Sequence, residues 1–200
     1  MKTILFSLLI SLGVFTTAPQ GLSVGDIVPD FSLLNVDGEN FSMSDHPDAK
    51  GFILVFTCNS CPVAKMYEQR IMELDVQFRD LGYPVVAINP NDPVRKPGDS
   101  YASMQERAEE KEYSFPYLHD VGGKVAISFG ATRTPEIYLV HRNADEELEL
   151  VYTGAIDNNS GDADAADEHY VAAAIANLEA GEEVAESFTR AIGCTIKWAQ

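Results

Sequence analysis

The sequence predicts an α/β fold arranged about one buried strand, and three observations carry that prediction. The run Phe52-Ile53-Leu54-Val55-Phe56 is continuously apolar, as a strand covered on both faces must be. From Pro62 the apolar positions Val63, Tyr67, Ile71, Leu74, Phe78 and Leu81 recur at the spacing of one face of an α-helix. After Gly82, Tyr83 to Ile88 forms a second apolar run. Strand, long helix and strand make a βαβ unit, which implies parallel strands and a right-handed crossover.

The remaining elements follow in chain order. Met1-Lys2, the apolar stretch Ile4 to Phe15 and the small residues Thr16-Thr17-Ala18 read as a signal peptide over residues 1–21. Its cleavage falls near Ala18, although Pro19 is unfavourable there. The apolar stretch is shorter than the roughly 20 residues that span a bilayer, and an uncleaved membrane anchor is the alternative. Residues 22–200 then form a single domain. Two short apolar pieces flank Asp37-Gly38, a hairpin signal. Pro62 stands where a first-turn proline is tolerated. Beyond the second buried strand, 93–99 is a polar loop and Ser100 is the N-cap of a helix over 101–113. Phe115 to Leu118 is extended. Val121, Val125 and Phe129 repeat every four residues, predicting a short helix stopped at Gly130. Ile137 to Val140 and the alternating Leu148 to Thr153 pair across a turn at 142–147, with one wet face. Residues 157–168 form an acidic, solvated loop. Val171, Ala174, Ile175 and Leu178 mark a last helix, and 182–200 is a tail that carries Cys194.

Composition bounds the function. With 14 Lys and Arg against 31 Asp and Glu, the net charge is -17. A surface this acidic repels nucleic acid and anionic membranes, so nucleic acid is not an expected partner, and membrane contact is expected only if the leader stays attached. Three cysteines in 200 residues are too few for a disulfide scaffold.

Two of those cysteines stand at the chemically informative position. Thr57-Cys58-Asn59-Ser60-Cys61-Pro62 places a CxxC between the buried strand and the helix start. The free amides and positive dipole end of a helix N-terminus favour an anion, and a thiolate is one. The pair therefore reads as a redox site.

The order of strand, CxxC, long helix, strand, helix, Thr134-Pro135, hairpin and final helix resembles the thioredoxin fold. The chain resembles the thioredoxin-like redoxins of the AhpC/TSA superfamily, which also covers peroxiredoxins and exported TlpA-type thiol-disulfide oxidoreductases. The likeness runs from about Val24 to about Leu178 and implies a central mixed β-sheet flanked by helices, with an N-terminal β-hairpin extension. It implies a cis bond at Thr134-Pro135 facing the CxxC, with Cys58 as the more exposed nucleophile and Cys61 as the resolving cysteine. Two departures concern the setting of the pair: Thr57 stands where tryptophan is usual, and proline follows the CxxC instead of lying within it.

The resemblance therefore implies an exported, periplasmic or otherwise extracytoplasmic thiol-disulfide oxidoreductase. It would exchange disulfides with thiol- or disulfide-bearing proteins, draw on a separate dithiol electron donor and need no organic cofactor beyond a redox-active Cys58-Cys61 pair. Lys65 and Arg133 are candidate positive charges near the thiols; for Lys65 a solvated helix lysine is the plainer reading. An inert Cys58-Cys61 bridge is the bland alternative, but so small a loop stabilises little. Thiol peroxidase activity is the enzymatic competitor. The peroxiredoxin signature Pro-x-x-x-Thr-x-x-Cys finds Val55 and Gly51 ahead of Cys58, and Cys58 and Leu54 ahead of Cys61, so neither cysteine fits. A Cu(I) carrier of the Sco type would need a histidine such as His141 beside thiols at a wider spacing; no metal site is expected. Cys194, amid Ile192, Ile196 and Trp198, is expected to be unpaired, with an interchain bridge or a third, resolving thiol as alternatives.

Overall fold

A computed structural model of the chain describes residues 21–200; the signal peptide expected over residues 1–21 lies, apart from Gly21, outside them. β1 (Ser32–Asn35) and β2 (Asn40–Ser42) form the expected hairpin. Gly38 turns it with φ of 93°, a value open to glycine at little cost. β3 (Gly51–Phe56), α1 (Pro62–Phe78) and β4 (Val85–Asn89) are the βαβ unit, with β3 and β4 parallel. α2 (Tyr101–Glu110), β5 (Tyr117–His119) and α3 (Lys124–Phe129) follow. β6 (Arg133–Thr134), β7 (Glu136–Arg142), β8 (Leu148–Gly154), α4 (Tyr170–Glu179) and β9 (Cys194–Thr195) complete the chain.

Seven strands form one mixed sheet in the order β2-β1-β5-β4-β3-β7-β8. β3 lies between a parallel β4 and an antiparallel β7, and every one of its residues is buried. Its side chains alternate between two cores. Ile53 and Val55 pack with Tyr67, Ile71, Leu74 and Phe78 of α1 and with Val171, Ala174 and Ile175 of α4. Phe52, Leu54 and Phe56 pack on the other face with Ala126 and Phe129 of α3, Tyr138 of β7 and Ile196 from the tail. Helices on both faces explain the unbroken apolar run.

Several boundaries differ from the periodicity. α1 ends at Phe78, and one tighter turn over Arg79–Leu81 leads to Gly82 at φ 96°. Leu81 is therefore exposed and not part of the buried stripe. Ser100 caps α2 as expected, accepting from the Ser103 amide, but the helix stops at Glu110. Val121 is exposed, because Gly122 and Gly123 interrupt the helical path and α3 starts only at Lys124. The β7–β8 hairpin forms, with a register shift at Leu139/Val140, but without the wet face expected of it: Ile137 to Val140 of β7 are buried on both faces, and the outward residues of β8 are half-buried. The loop after β8 is not wholly solvated, since Asp157 is buried against α1.

Candidate active site

Cys58 follows β3 after the single residue Thr57, and Cys61 is the N-cap of α1 with Pro62 at its first position. Both sulfurs are buried and share a small cluster with Ala64, against which Val63 and Cys194 pack. Across from them Thr134-Pro135 is a cis peptide bond, as the resemblance implied. The Thr134 hydroxyl lies 3.3 Å from the Cys58 sulfur and the Thr134 carbonyl oxygen 3.3 Å from the Cys61 sulfur. One residue thus touches both cysteines. Thr57, also buried, anchors the end of the strand through its amide, which donates to the Ile88 carbonyl at 2.9 Å.

A third cysteine completes the cluster. Cys61 is joined by a disulfide to Cys194, 133 residues further on, with their Cα atoms 6.0 Å apart. Cys58 is the free thiol. The expected pairing of Cys58 with Cys61, with Cys194 unpaired, is therefore not the one in this structure. The reason is the path of the tail. It returns across the sheet and adds β9 beside β6, so that Cys194 pairs in register with Thr134. At Gly193 a side chain would meet the Thr134 carbonyl, and glycine alone permits that approach. With Cys61 in a disulfide its sulfur carries no proton, so the approach to the Thr134 carbonyl is a packing contact. It becomes a hydrogen bond only in the dithiol form.

The loop between the cysteines is held by Asp99, a fully buried carboxylate. The amides of Asn59 and Ser60 donate to its Oδ1 at 2.8 and 3.0 Å, while the Ser60 hydroxyl and the Asn91 side-chain amide donate to Oδ2. Tyr117 donates to Asn59 Oδ1 at 2.9 Å, fixing the same loop from β5. No sequence signal marks Asp99, which sits in what reads as a polar loop forty residues from Asn59.

Electrostatics at Cys58 run against the expectation of a stabilised thiolate. Burial first, and then the Asp99 charge, push the Cys58 thiol up from its ordinary value. The Thr134 hydroxyl and the amides of Cys61 and Ser60 pull it down, which is the anticipated helix-start effect, but they are outweighed. Cys58 is the more accessible of the pair, as expected, but only at 5% against 3% for Cys61, so both are buried. Arg133 does not offset the burial: its guanidinium donates to the Gly193 carbonyl and so holds the tail. Lys65 is a solvated helix residue. His141 stacks on Tyr83 and shares a hydrogen bond with it, five residues along β7 from Glu136, which is the partner of Phe56 at the cysteine end of β3. At about 3.3 Å per residue, His141 is too distant to join the thiols in binding one ion.

Residues 24–150 match the model of the AhpC/TSA family. A thiol-disulfide oxidoreductase ResA from Geobacillus kaustophilus is 26% identical over 162 residues, covering 78% of this chain and 87% of that protein. The solved structure of an uncharacterized conserved protein from Geobacillus kaustophilus superposes with a TM-score of 0.81 at 33% identity, over 88% of this chain and 93% of its own. The exposed lipoprotein thioredoxin of Streptococcus pneumoniae strain TIGR4 superposes with a TM-score of 0.53 at 25% identity, over 66% of this chain and 93% of its own. The family match spans the hairpin, the CxxC, the cis proline and the start of β8, the same segments that build the sheet and the cysteine cluster. This chain belongs to the AhpC/TSA family.

Proposed function

We propose that this protein is a thiol-disulfide oxidoreductase in which Cys58 is the nucleophile and Cys61 the resolving cysteine. The carrying observation is a free thiol, Cys58, held in one cluster with a disulfide at Cys61, both against Thr134. Thiol-disulfide exchange needs those two groups side by side. In the forward step the Cys58 thiolate attacks a partner disulfide, forming a mixed disulfide and releasing one partner thiol. Cys61 as thiolate then attacks the Cys58 sulfur, forming a Cys58-Cys61 bond and releasing the second partner thiol. Redox equivalents reside on sulfur, and this reading calls for no organic cofactor. The ResA relative and the family support it.

The partners are thiol- or disulfide-bearing proteins, and a second dithiol protein returns the electrons. Reading residues 1–21 as a leader, we assign this activity to the outside of the cytoplasm, in the manner of TlpA-type proteins. Among the described residues no helix is long and apolar enough to cross a membrane.

The test is turnover of a peptide carrying one internal disulfide. Cys58→Ser lowers the rate by about three orders of magnitude or more, whereas Cys61→Ser accumulates the mixed disulfide through Cys58. Equal rates in wild type and both variants would sink this reading. Thiol-supported peroxide consumption that vanishes with Cys58 would assign a peroxidase instead.

A further inference from the structure

We infer that Cys194 is a third redox thiol, which takes the disulfide over from Cys58 so that Cys61 alternates between two partners. The inference rests on the exchange reading of Cys58 and Cys61 and extends it. Cys61 is the sulfur common to both bonds: it lies in the CxxC with Cys58, and it is bonded to Cys194.

Cys194 is brought to Cys61 by contacts that do not depend on the bridge. On one side the Gly193 carbonyl accepts from Arg133 at 3.2 Å. On the other, the Ile196 amide donates to the Thr132 carbonyl at 3.0 Å and the Lys197 amide to the Asn91 side chain at 2.8 Å. The Asp92 amide returns a bond to the Lys197 carbonyl at 2.8 Å, and Ile196 is buried in the core. Trp198 packs over Gly123, where a side chain would collide with the indole. Reduction of the bridge leaves these contacts in place, so the Cys194 thiol stays at high effective concentration beside Cys61.

The transfer balances without an outside reagent. After a partner disulfide has been reduced, the protein holds Cys58-Cys61 and a Cys194 thiol. The Cys194 thiolate attacks the Cys61 sulfur. A Cys61-Cys194 bond forms, the Cys58-Cys61 bond breaks, and the electron pair leaves on Cys58, which takes up the proton lost by Cys194. The oxidation level is unchanged. Burial and the Asp99 charge push the Cys58 thiol up from its ordinary value, so the sulfur released in this step is one that holds a proton. The state seen in the structure is the product of this step, with the nucleophile restored as a thiol while the oxidising equivalent waits on the other pair.

Glutathione disulfide in excess is the probe, added to fully reduced protein, with acid quenching, alkylation and peptide mapping over time. Wild type is expected to pass through Cys58-glutathione and Cys58-Cys61, and to end with Cys61-Cys194 plus one glutathione on Cys58. Cys194→Ser is expected to stop at Cys58-Cys61 with no glutathione retained. The wild-type map decides the matter even if the variant folds poorly. A wild-type endpoint of Cys58-Cys61 with Cys194 alkylated or separately glutathionylated overturns the relay and leaves the exchange activity standing. A protein that never forms a mixed disulfide at Cys58 overturns the exchange activity itself, and the relay with it.

Discussion

Asp99 sets two properties of the site that act in opposite senses. It holds the loop between the cysteines by accepting from both intervening amides, and its charge faces Cys58. A negative charge opposes formation of a second one, so the carboxylate raises the thiol, as burial already does. The rate of Cys58 alkylation should therefore keep climbing with pH beyond the range of an ordinary thiol. In Asp99→Asn an acceptor remains for the amides but the charge is gone, which removes a raising influence. Its alkylation profile, followed with iodoacetamide between neutral and alkaline pH, should shift to lower pH than wild type. A profile that stays put or moves upward would show that the Asp99 charge does not reach the thiol.

Helix α1 carries the site at its N-terminus, and what steadies it lies about two turns further along. Arg70 stacks over the Tyr67 ring with 3.9 Å to the centroid and pairs with Asp157 at 2.6 Å, both charges being almost wholly buried. Arg70 also donates to the Asn159 and Ser160 carbonyls, so one guanidinium ties α1 to the loop after β8. Removing one member leaves the other charge buried and alone. Asp157→Ala should thus cost about 3–5 kcal/mol in urea unfolding, far more than alanine at the solvated Asp162 or Asp164. Equal costs would mean that the pair is dispensable. This contact also marks where the sequence ceased to be legible. The stripe from Val63 to Phe78, the all-apolar β3 and the Asp37-Gly38 turn announced themselves because periodicity and turn chemistry are local. Asp157 reads as one more acid in an acidic loop, and Asp99 as part of a polar one. Their roles arise from contacts with residues 87 and 40 positions away that no local pattern records. Cys194 belongs with them: its apolar neighbours signalled burial, but not that the tail returns to Thr134.

At the scale of the molecule, the tail does most to change how the chain is closed. The body folds through strand and helix neighbours, whereas Cys61-Cys194 joins the start of α1 to the last residues across 133 positions. Closing so long a loop in the unfolded chain removes conformational freedom, which in the chain-entropy view stabilises the native state by up to about 5 kcal/mol. A Cys58-Cys61 bridge encloses only two residues and contributes little by the same reasoning. The pairing seen here therefore predicts that wild type loses stability on reduction by an amount of that order, read as a lower urea midpoint in the presence of a phosphine reductant. Cys194→Ser should unfold near the reduced wild-type midpoint whether or not reductant is present, because its only available bridge is the short one. Coincident curves for oxidised and reduced wild type would mean that the long bridge does not form in solution. A wild-type difference that persists in Cys194→Ser would place the stabilising bond at Cys58-Cys61 instead. Since the tail also docks through Ile196, Lys197 and Trp198, reduction should lower the midpoint without loosening the sheet, and far-ultraviolet circular dichroism before the transition should be the same in both forms.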